Sequence, residues 1–272
     1  MSKARKGSIA AQLLDHTPFD AEAFTLNADP EIQEIRVGRG EHRILIVDGF
    51  YKYPERVLGL VDELEFFDDP KITLSFPGKR AIASADLRHI LPALTRYTGR
   101  KPQASDDDNM ILSIQGLWGN TPLRARQRVP HNDPTMTALV YLNLPEDCSG
   151  GTGLYRHEPT GIEVLPIKPD DRMRALASDL GYPMWQLETQ QGYVQFTERV
   201  IFNTRFGNPD GLMLNAGNQW WTLMYLVEMR FNRLVVYDGR IPHTVYLEPG
   251  TFEHVPRYTQ MLSLRLDDDD CW

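Results

Sequence analysis

The spacing of apolar residues changes about a third of the way along this 272-residue chain. Before residue 100 it alternates between strand and helix. Ile35–Val37 and Arg43–Asp48 read as strands, and the unbroken run Ile44-Leu45-Ile46-Val47 predicts burial on both faces. Pro54 suits a first helical turn, and apolar residues at helical spacing carry a helix over 54–65, with Leu58, Val61 and Leu64 on its core stripe. Leu87, Ile90, Leu91, Leu94 and Tyr97 predict a second helix over 87–98, ended by Gly99. Between the two, Phe76-Pro77-Gly78-Lys79-Arg80 reads as a turn. Residues 1–30 form an irregular arm with a short helix near Ile9–Leu14.

From residue 108 onward the pattern is that of strands. Asn109–Trp118 alternates, and Thr137–Leu144 is the clearest strand of the chain. Gly150–Tyr155 is a short strand entered through glycines, which suit a tight turn or a close backbone approach. Trp221–Arg230 and Arg233–Tyr237 read as a strand pair turning near Phe231-Asn232. A last strand runs from Arg257 to about Leu266, ahead of a solvated tail, Asp267–Asp270. In the stretch between Tyr155 and Arg230 one helix is legible, over 170–182, favoured by Asp170 and Asp171 at its start and stopped by Gly181-Tyr182-Pro183. Residues 184–220 carry no pattern that assigns them. Many short strands with turn signals predict a mainly β fold with flanking helices, a sandwich or jelly roll. The expected organisation is an arm, 1–30, then a single domain over 31–272. That domain has a helical layer (54–65, 87–98) and an insertion over about 156–230 that roofs a pocket.

Composition narrows the classes. Hydrophobic residues are 42% and charged residues 24%, as in soluble globular proteins. A net charge of −8 supplies no overall positive field for nucleic acid. Arg124, Arg126 and Arg128 are a local basic cluster, serving either an anionic substrate or a solvated loop. Cys148 and Cys271 make neither a disulfide framework nor a zinc motif, and read as reduced cytoplasmic thiols. No run of about 18 apolar residues predicts a membrane helix, and the N-terminus lacks a secretory apolar core. The expected location is the cytoplasm, with no membrane or nucleic-acid partner.

Two of the seven histidines stand in informative company. His131 lies in Pro130-His131-Asn132-Asp133-Pro134, directly before the strong strand. On an extended strand end, side chains at i and i+2 leave the same face, so this imidazole and carboxylate point at one spot. His243 arrives 112 residues later, at the start of a strand that follows Arg233–Tyr237 and the Asp238-Gly239 turn. Two imidazoles and one carboxylate on one face of an ion leave the opposite face open, which is the facial arrangement of non-haem Fe(II) oxygenases. Arg257 and Thr259 share one strand face beyond His243; a guanidinium there can grip a carboxylate through two hydrogen bonds. Arg265 is the fallback for that role. Tyr141 and Asn143 alternate with Leu142 and face one side together, toward the pocket or simply packed in the core. His157-Glu158 line the pocket or a surface loop. Trp220-Trp221 form a substrate wall or a core ridge, the ridge being favoured because large aromatics usually pack.

The ordered set resembles the Fe(II)/2-oxoglutarate-dependent dioxygenase superfamily and its H-x-D…H…R-x-S/T pattern. It consists of His131-Asn132-Asp133, the strand Thr137–Asn143, Gly150-Gly151-Thr152-Gly153-Leu154-Tyr155, Arg233–Tyr237 leading to His243, and Arg257-Tyr258-Thr259. The glycine-rich piece and Tyr141-Leu142-Asn143 are similar to the prolyl-hydroxylase-like branch and to bacterial members without assigned substrate. The resemblance covers about 109–266. It implies a double-stranded β-helix (jelly-roll) core, with Fe(II) on His131, Asp133 and His243. It also implies 2-oxoglutarate held by Arg257 and Thr259, with Tyr141 and Asn143 nearby. The chain departs from that branch in two ways. Glu253 stands where the branch usually carries a cosubstrate lysine, which moves the role to Arg257. The long insertion makes the prolyl-hydroxylase substrate unsafe to carry over. The expected activity is hydroxylation of an amino-acid-like, peptidyl or other small-molecule substrate. Dioxygen would be consumed and succinate and CO2 released, in a monomer or homodimer. Two rivals remain: a cupin-like metal enzyme that does not use 2-oxoglutarate, and a non-catalytic jelly-roll binding module.

Overall fold

The computed structural model describes residues 21–68, 76–83, 85, 87–104, 112–133, 136–207 and 213–265, apart from the side chains of Ala21, Ala104, Ser263 and Arg265. Among them are β1 (Glu31–Val37), β2 (His42–Asp48), β3 (Lys79–Ala83), β4 (Gln103–Ala104), β5 (Leu112–Leu117) and β6 (Met136–Tyr141). The later strands are β7 (Gly151–His157), β8 (Trp221–Glu228), β9 (Arg233–Asp238), β10 (His243–Tyr246) and β11 (Arg257–Arg265). The helices are α1 (Pro54–Val61), α2 (Ile90–Thr98), α3 (Asp171–Asp179), α4 (Met184–Leu187) and α5 (Gln190–Val200). The fold is thus mainly β with flanking helices.

The strands form two antiparallel sheets. The larger runs β1-β2-β9-β6-β11-β5-β3, with β4 also on β11; the smaller runs β10-β7-β8. His131 adds to the open side of β10 through a bridge to His243. From β5 onward the chain alternates between them: β5 large, His131 small, β6 large, β7 and β8 small, β9 large, β10 small, β11 large. Segments distant in sequence therefore become neighbours across the gap between the sheets.

That gap is filled by Ile44, Ile46, Leu139, Tyr141, Val235 and Tyr237 from the large sheet, packed with Leu154 and Val227 from the small one. The opposite face of the large sheet carries Leu45, Val47, Val140 and Val236, covered by Val57 and Val61 of α1 and Leu94 and Tyr97 of α2. The run Ile44–Val47 is buried on both faces for this reason, and each such side chain contributes about 1.5–3 kcal/mol. On the outer face of the small sheet, Tyr155 and Trp221 anchor α3–α5 through Met173, Leu187 and Phe196.

Several boundaries differ from expectation. The helix expected over 54–65 stops at Val61, and the one expected over 87–98 starts at Ile90 and ends at Gly99, which is left-handed with φ of 70°. The helix over 170–182 spans Asp171–Asp179, and Asp170 caps it by accepting the Met173 N–H at 2.8 Å. Lys79 and Arg80, expected in a turn, open β3. Trp221–Arg230 and Arg233–Tyr237 do not pair. β8 lies in the small sheet and β9 in the large, so the Phe231-Asn232 turn is a crossover. Asn232 fixes it: its backbone has φ of 61°, and its amide bonds both the N–H and the carbonyl of Tyr51 at 2.8 Å. Among the described residues no helix is long and apolar enough to cross a membrane. The helix near Ile9–Leu14 and the tail Asp267–Asp270 lie outside the described residues.

Candidate metal centre

His131 and His243 are brought together by backbone. The N–H of His131 donates to the His243 carbonyl at 2.9 Å, and the N–H of His243 donates to the His131 carbonyl at 2.8 Å. That reciprocal pair holds the two rings with centroids 4.4 Å apart. The N–H of Asp133 donates to the carbonyl of Gly239 at 2.7 Å, just after β9, and this carries its carboxylate to the same spot. One ligand atom from each of His131, Asp133 and His243 lies within 4.8 Å of the others.

The proton inventory suits a cation. Nδ1 of His243 lies 2.8 Å from the Ile241 carbonyl. A carbonyl only accepts, so Nδ1 carries the proton and Nε2 presents a lone pair. Nε2 faces Asp133 Oδ2 across 3.6 Å, wider than a hydrogen bond, and an ion between them satisfies both lone-pair donors. Nδ1 of His131 is buried without a partner. Burial, reinforced by His243 and Arg126 and opposed by Asp133, holds the His131 pKa well below the ordinary imidazole value, so the ring is neutral and free to ligate at pH 7. Burial pushes the Asp133 carboxyl up, but its interactions with His243 and His131 and the Thr137 hydroxyl, 2.7 Å away, outweigh burial and hold it well below the usual range. Two imidazoles beside an ionised carboxylate are the donor set a divalent ion needs.

Arg257 and Thr259 line the same cleft as His131 and His243. Arg257 is 2% exposed. Its Nη1 donates to Thr259 Oγ1 at 2.8 Å and its Nη2 reaches the Gly151 carbonyl at 3.4 Å, while Nε has no partner. No carboxylate among the described residues pairs with it. Burial pulls its pKa down, against Tyr141 and Tyr237. A buried cation met only by a hydroxyl, a carbonyl and a ring face is costly unless an anion joins it.

The other two expected cosubstrate residues stand behind this pair, and neither lines the cleft. The ring of Tyr141 lies 5.3 Å from the Arg257 guanidinium, and its hydroxyl pairs with Thr152 Oγ1 at 2.7 Å across the two sheets. Asn143 donates to the Pro256 carbonyl at 2.8 Å and accepts the Tyr258 N–H at 2.7 Å, so it holds the start of β11. Both position Arg257. The side chain of Arg265 lies outside the described residues.

None of the insertion's described residues lines this cleft, because its helices are drawn to the apolar outer face of the small sheet. The insertion braces the site. Arg126 donates to the Pro130 carbonyl at 3.2 Å and pairs with Glu198 of α5 at 2.9 Å. Arg124 pairs with Asp68 at 3.6 Å, so two of the three clustered arginines have structural partners. Trp221 is a core ridge, fully buried, and Trp220 stacks on Phe206.

Sequence reasoning missed three participants. The Phe76 ring sits edge-on to His131 at 4.9 Å. The Tyr237 hydroxyl lines the cleft, buried and without a partner. Arg80, whose pKa burial lowers while the Asp133 charge raises it, adds a second cation to the local field. Tyr237 shares the inward strand face of Val235, which was readable; Phe76 and Arg80 become neighbours only through the pairing of β3 with β5.

The chain belongs to a family described as of unknown function (DUF6445), whose model matches residues 28–205. That span includes His131 and Asp133 and ends before His243 and Arg257. No curated protein matches the chain in sequence.

Proposed function

We propose that this member of the DUF6445 family is an Fe(II)- and 2-oxoglutarate-dependent oxygenase built on a double-stranded β-helix. One observation carries the reading: the two histidines of a two-histidine, one-carboxylate group share a cleft with a buried guanidinium that no carboxylate among the described residues neutralises. Either feature alone fits many proteins; together they match the two ends of a 2-oxo diacid. The alternation of strands between the sheets supports the jelly-roll core.

Bound Fe(II) would supply activation of dioxygen, coupled to decarboxylation of 2-oxoglutarate to succinate and CO2, for hydroxylation of a substrate C–H bond. His131, Asp133 and His243 would hold the ion. Ile241 fixes the tautomer of His243 and Thr137 orients Asp133. Arg257 grips the far carboxylate, with Thr259 as second donor and the Tyr237 hydroxyl within the same lining. Phe76 and Leu139 exclude water. The cavity measures about 30 Å3, room for one or two waters. The diacid therefore enters only as lining side chains draw back, the unbranched Met261 most readily. The substrate class is an amino-acid-like, peptidyl or other small molecule.

Anaerobic titration of the apo-protein with Fe(II) and then 2-oxoglutarate tests this reading. The expected result is the weak visible charge-transfer band of the chelate, absent in His131→Ala and weakened in Arg257→Met. Stoichiometric iron without a band would shift the assignment to a cupin-like metal enzyme that does not use 2-oxoglutarate. Absence of bound iron would leave a binding module.

A further inference from the structure

A second cleft of about 550 Å3 opens in the insertion, and it shares no lining residue with the metal centre. Its volume falls within the range of small-molecule sites. His157, at the end of β7 and only 1% exposed, is part of its wall. Beside it Phe206 and Trp220 stack face to face with centroids 4.1 Å apart and planes 18° from parallel; Phe206 is buried and Arg205 lies over its ring at 4.9 Å, so the half-buried Trp220 is the stacking platform. Arg199 and Arg205 also line the cleft. Both are exposed, and neither has a carboxylate partner among the described residues.

The imidazole is the unexplained group. Its Nδ1 lies 2.8 Å from Thr160 Oγ1, whereas its Nε2 is buried with no partner. Thr160 Oγ1 also accepts the Ile162 N–H at 3.4 Å, and its own hydroxyl hydrogen can be donated to Nδ1. The ring proton then sits on Nε2 as a donor. Burial against Phe206 and Trp221 pulls the His157 pKa down to about 4, with Glu158 opposing, so the ring is neutral at pH 7. A buried donor without an acceptor is unfavourable, and neighbouring aromatic carbon offers none. The metal chemistry uses none of these groups.

We propose that this cleft binds a flat heteroaromatic carboxylate. The ring lies on the Trp220 indole, the carboxylate meets Arg199 and Arg205, and an acceptor on the ring takes the Nε2–H of His157. Shape, charge and the orphaned donor select for the same ligand class: the indole needs a planar body, the arginines an anion, the imidazole an acceptor.

Quenching of tryptophan fluorescence by nicotinate and by quinoline-2-carboxylate, with nicotinamide and acetate as controls, tests this on the full chain. Saturable binding of at least one carboxylate is expected at submillimolar concentration, at least tenfold tighter than either control. Arg199→Gln/Arg205→Gln, altered only at exposed positions, should weaken it at least tenfold. Arg257→Met should leave it unchanged, which separates this cleft from the metal centre. Trp220→Phe should remove most of the quench. No saturable binding of either carboxylate, equal binding of nicotinamide, or full binding in the double arginine variant would each overturn the proposal.

Discussion

Arg233 and Arg257 occupy equivalent places and meet opposite fates. Each is the first residue of a strand flanking β6, each lies at the Tyr141 end of it, and each is at least nine-tenths buried. Arg233 is answered by the protein: Nε and Nη2 donate to the two Asp48 oxygens at 2.6 and 2.8 Å, and Nη1 donates to the Glu228 carbonyl at 2.9 Å. Arg257 has a hydroxyl, a distant carbonyl and a ring. The same residue type on the same face is architecture in one case and receptive in the other, and the presence of a carboxylate decides which.

Replacing each arginine tests that contrast most strongly. Arg233→Met strands the Asp48 carboxylate with only the exposed Arg230, and is expected to lower unfolding stability in urea by about 3–5 kcal/mol. Arg257→Met removes a buried cation that no carboxylate among the described residues neutralises, so its stability should stay within about 1 kcal/mol or rise. Under the proposed function, its turnover of 2-oxoglutarate should fall by about 100-fold. Equal loss of stability in both variants would erase the distinction.

Acid sharpens it. Hydrogen bonding to Arg233, together with the charges of Arg233 and Arg230, outweighs burial and holds the Asp48 carboxyl below its ordinary value. The folded pKa lies below the unfolded one, so this stabilisation is complete above about 3.9 and is lost as pH falls through the folded value. The penalty of Arg233→Met should therefore shrink below that pH, measured by urea unfolding in steps from neutral to acid. No carboxylate among the described residues pairs with Arg257, so the Arg257→Met difference should stay flat over the same steps.

A smaller loss is expected at Glu163, which accepts the N–H groups of Arg39 and Gly40 at 3.1 and 3.0 Å and meets His42 at 3.1 Å. Glu163→Gln loosens the β1–β2 turn from the small sheet, by about 1–2 kcal/mol in thermal unfolding. The smallest effect is at Thr259→Val, which removes one acceptor from Arg257. Under the proposed function, the KM for 2-oxoglutarate should rise about three- to tenfold with stability nearly unchanged.

Much of this was legible because it is local. The two-residue step from His131 to Asp133 and the two-faced run Ile44–Val47 each state their geometry within a few residues. Pairing is not local, and the β8–β9 expectation failed there. The two strands are adjacent in sequence and individually clear, but nothing in either pattern says that they enter different sheets. Helix α5 escaped notice for another reason. Its buried positions, Tyr193, Phe196 and Thr197, do sit at helical spacing. Gly192 among them, the exposed Val194 and two leading glutamines blur the stripe. Arg80 was hidden because its neighbours arrive only with the β3–β5 pairing, after a segment that reads as a turn.

The reciprocal backbone bond between His131 and His243 joins positions 112 residues apart. An ion held by both rings would act as a clasp on a polymer ring whose circumference includes β6 to β9 and all of α3–α5. Closing such a ring becomes harder only with the logarithm of its length. Excising residues 171–200 would change the closure free energy by only about 0.3 kcal/mol. The arc between the histidines is therefore where this protein can lengthen or shorten with least disturbance to the clasp, provided that something still covers Tyr155 and Trp221.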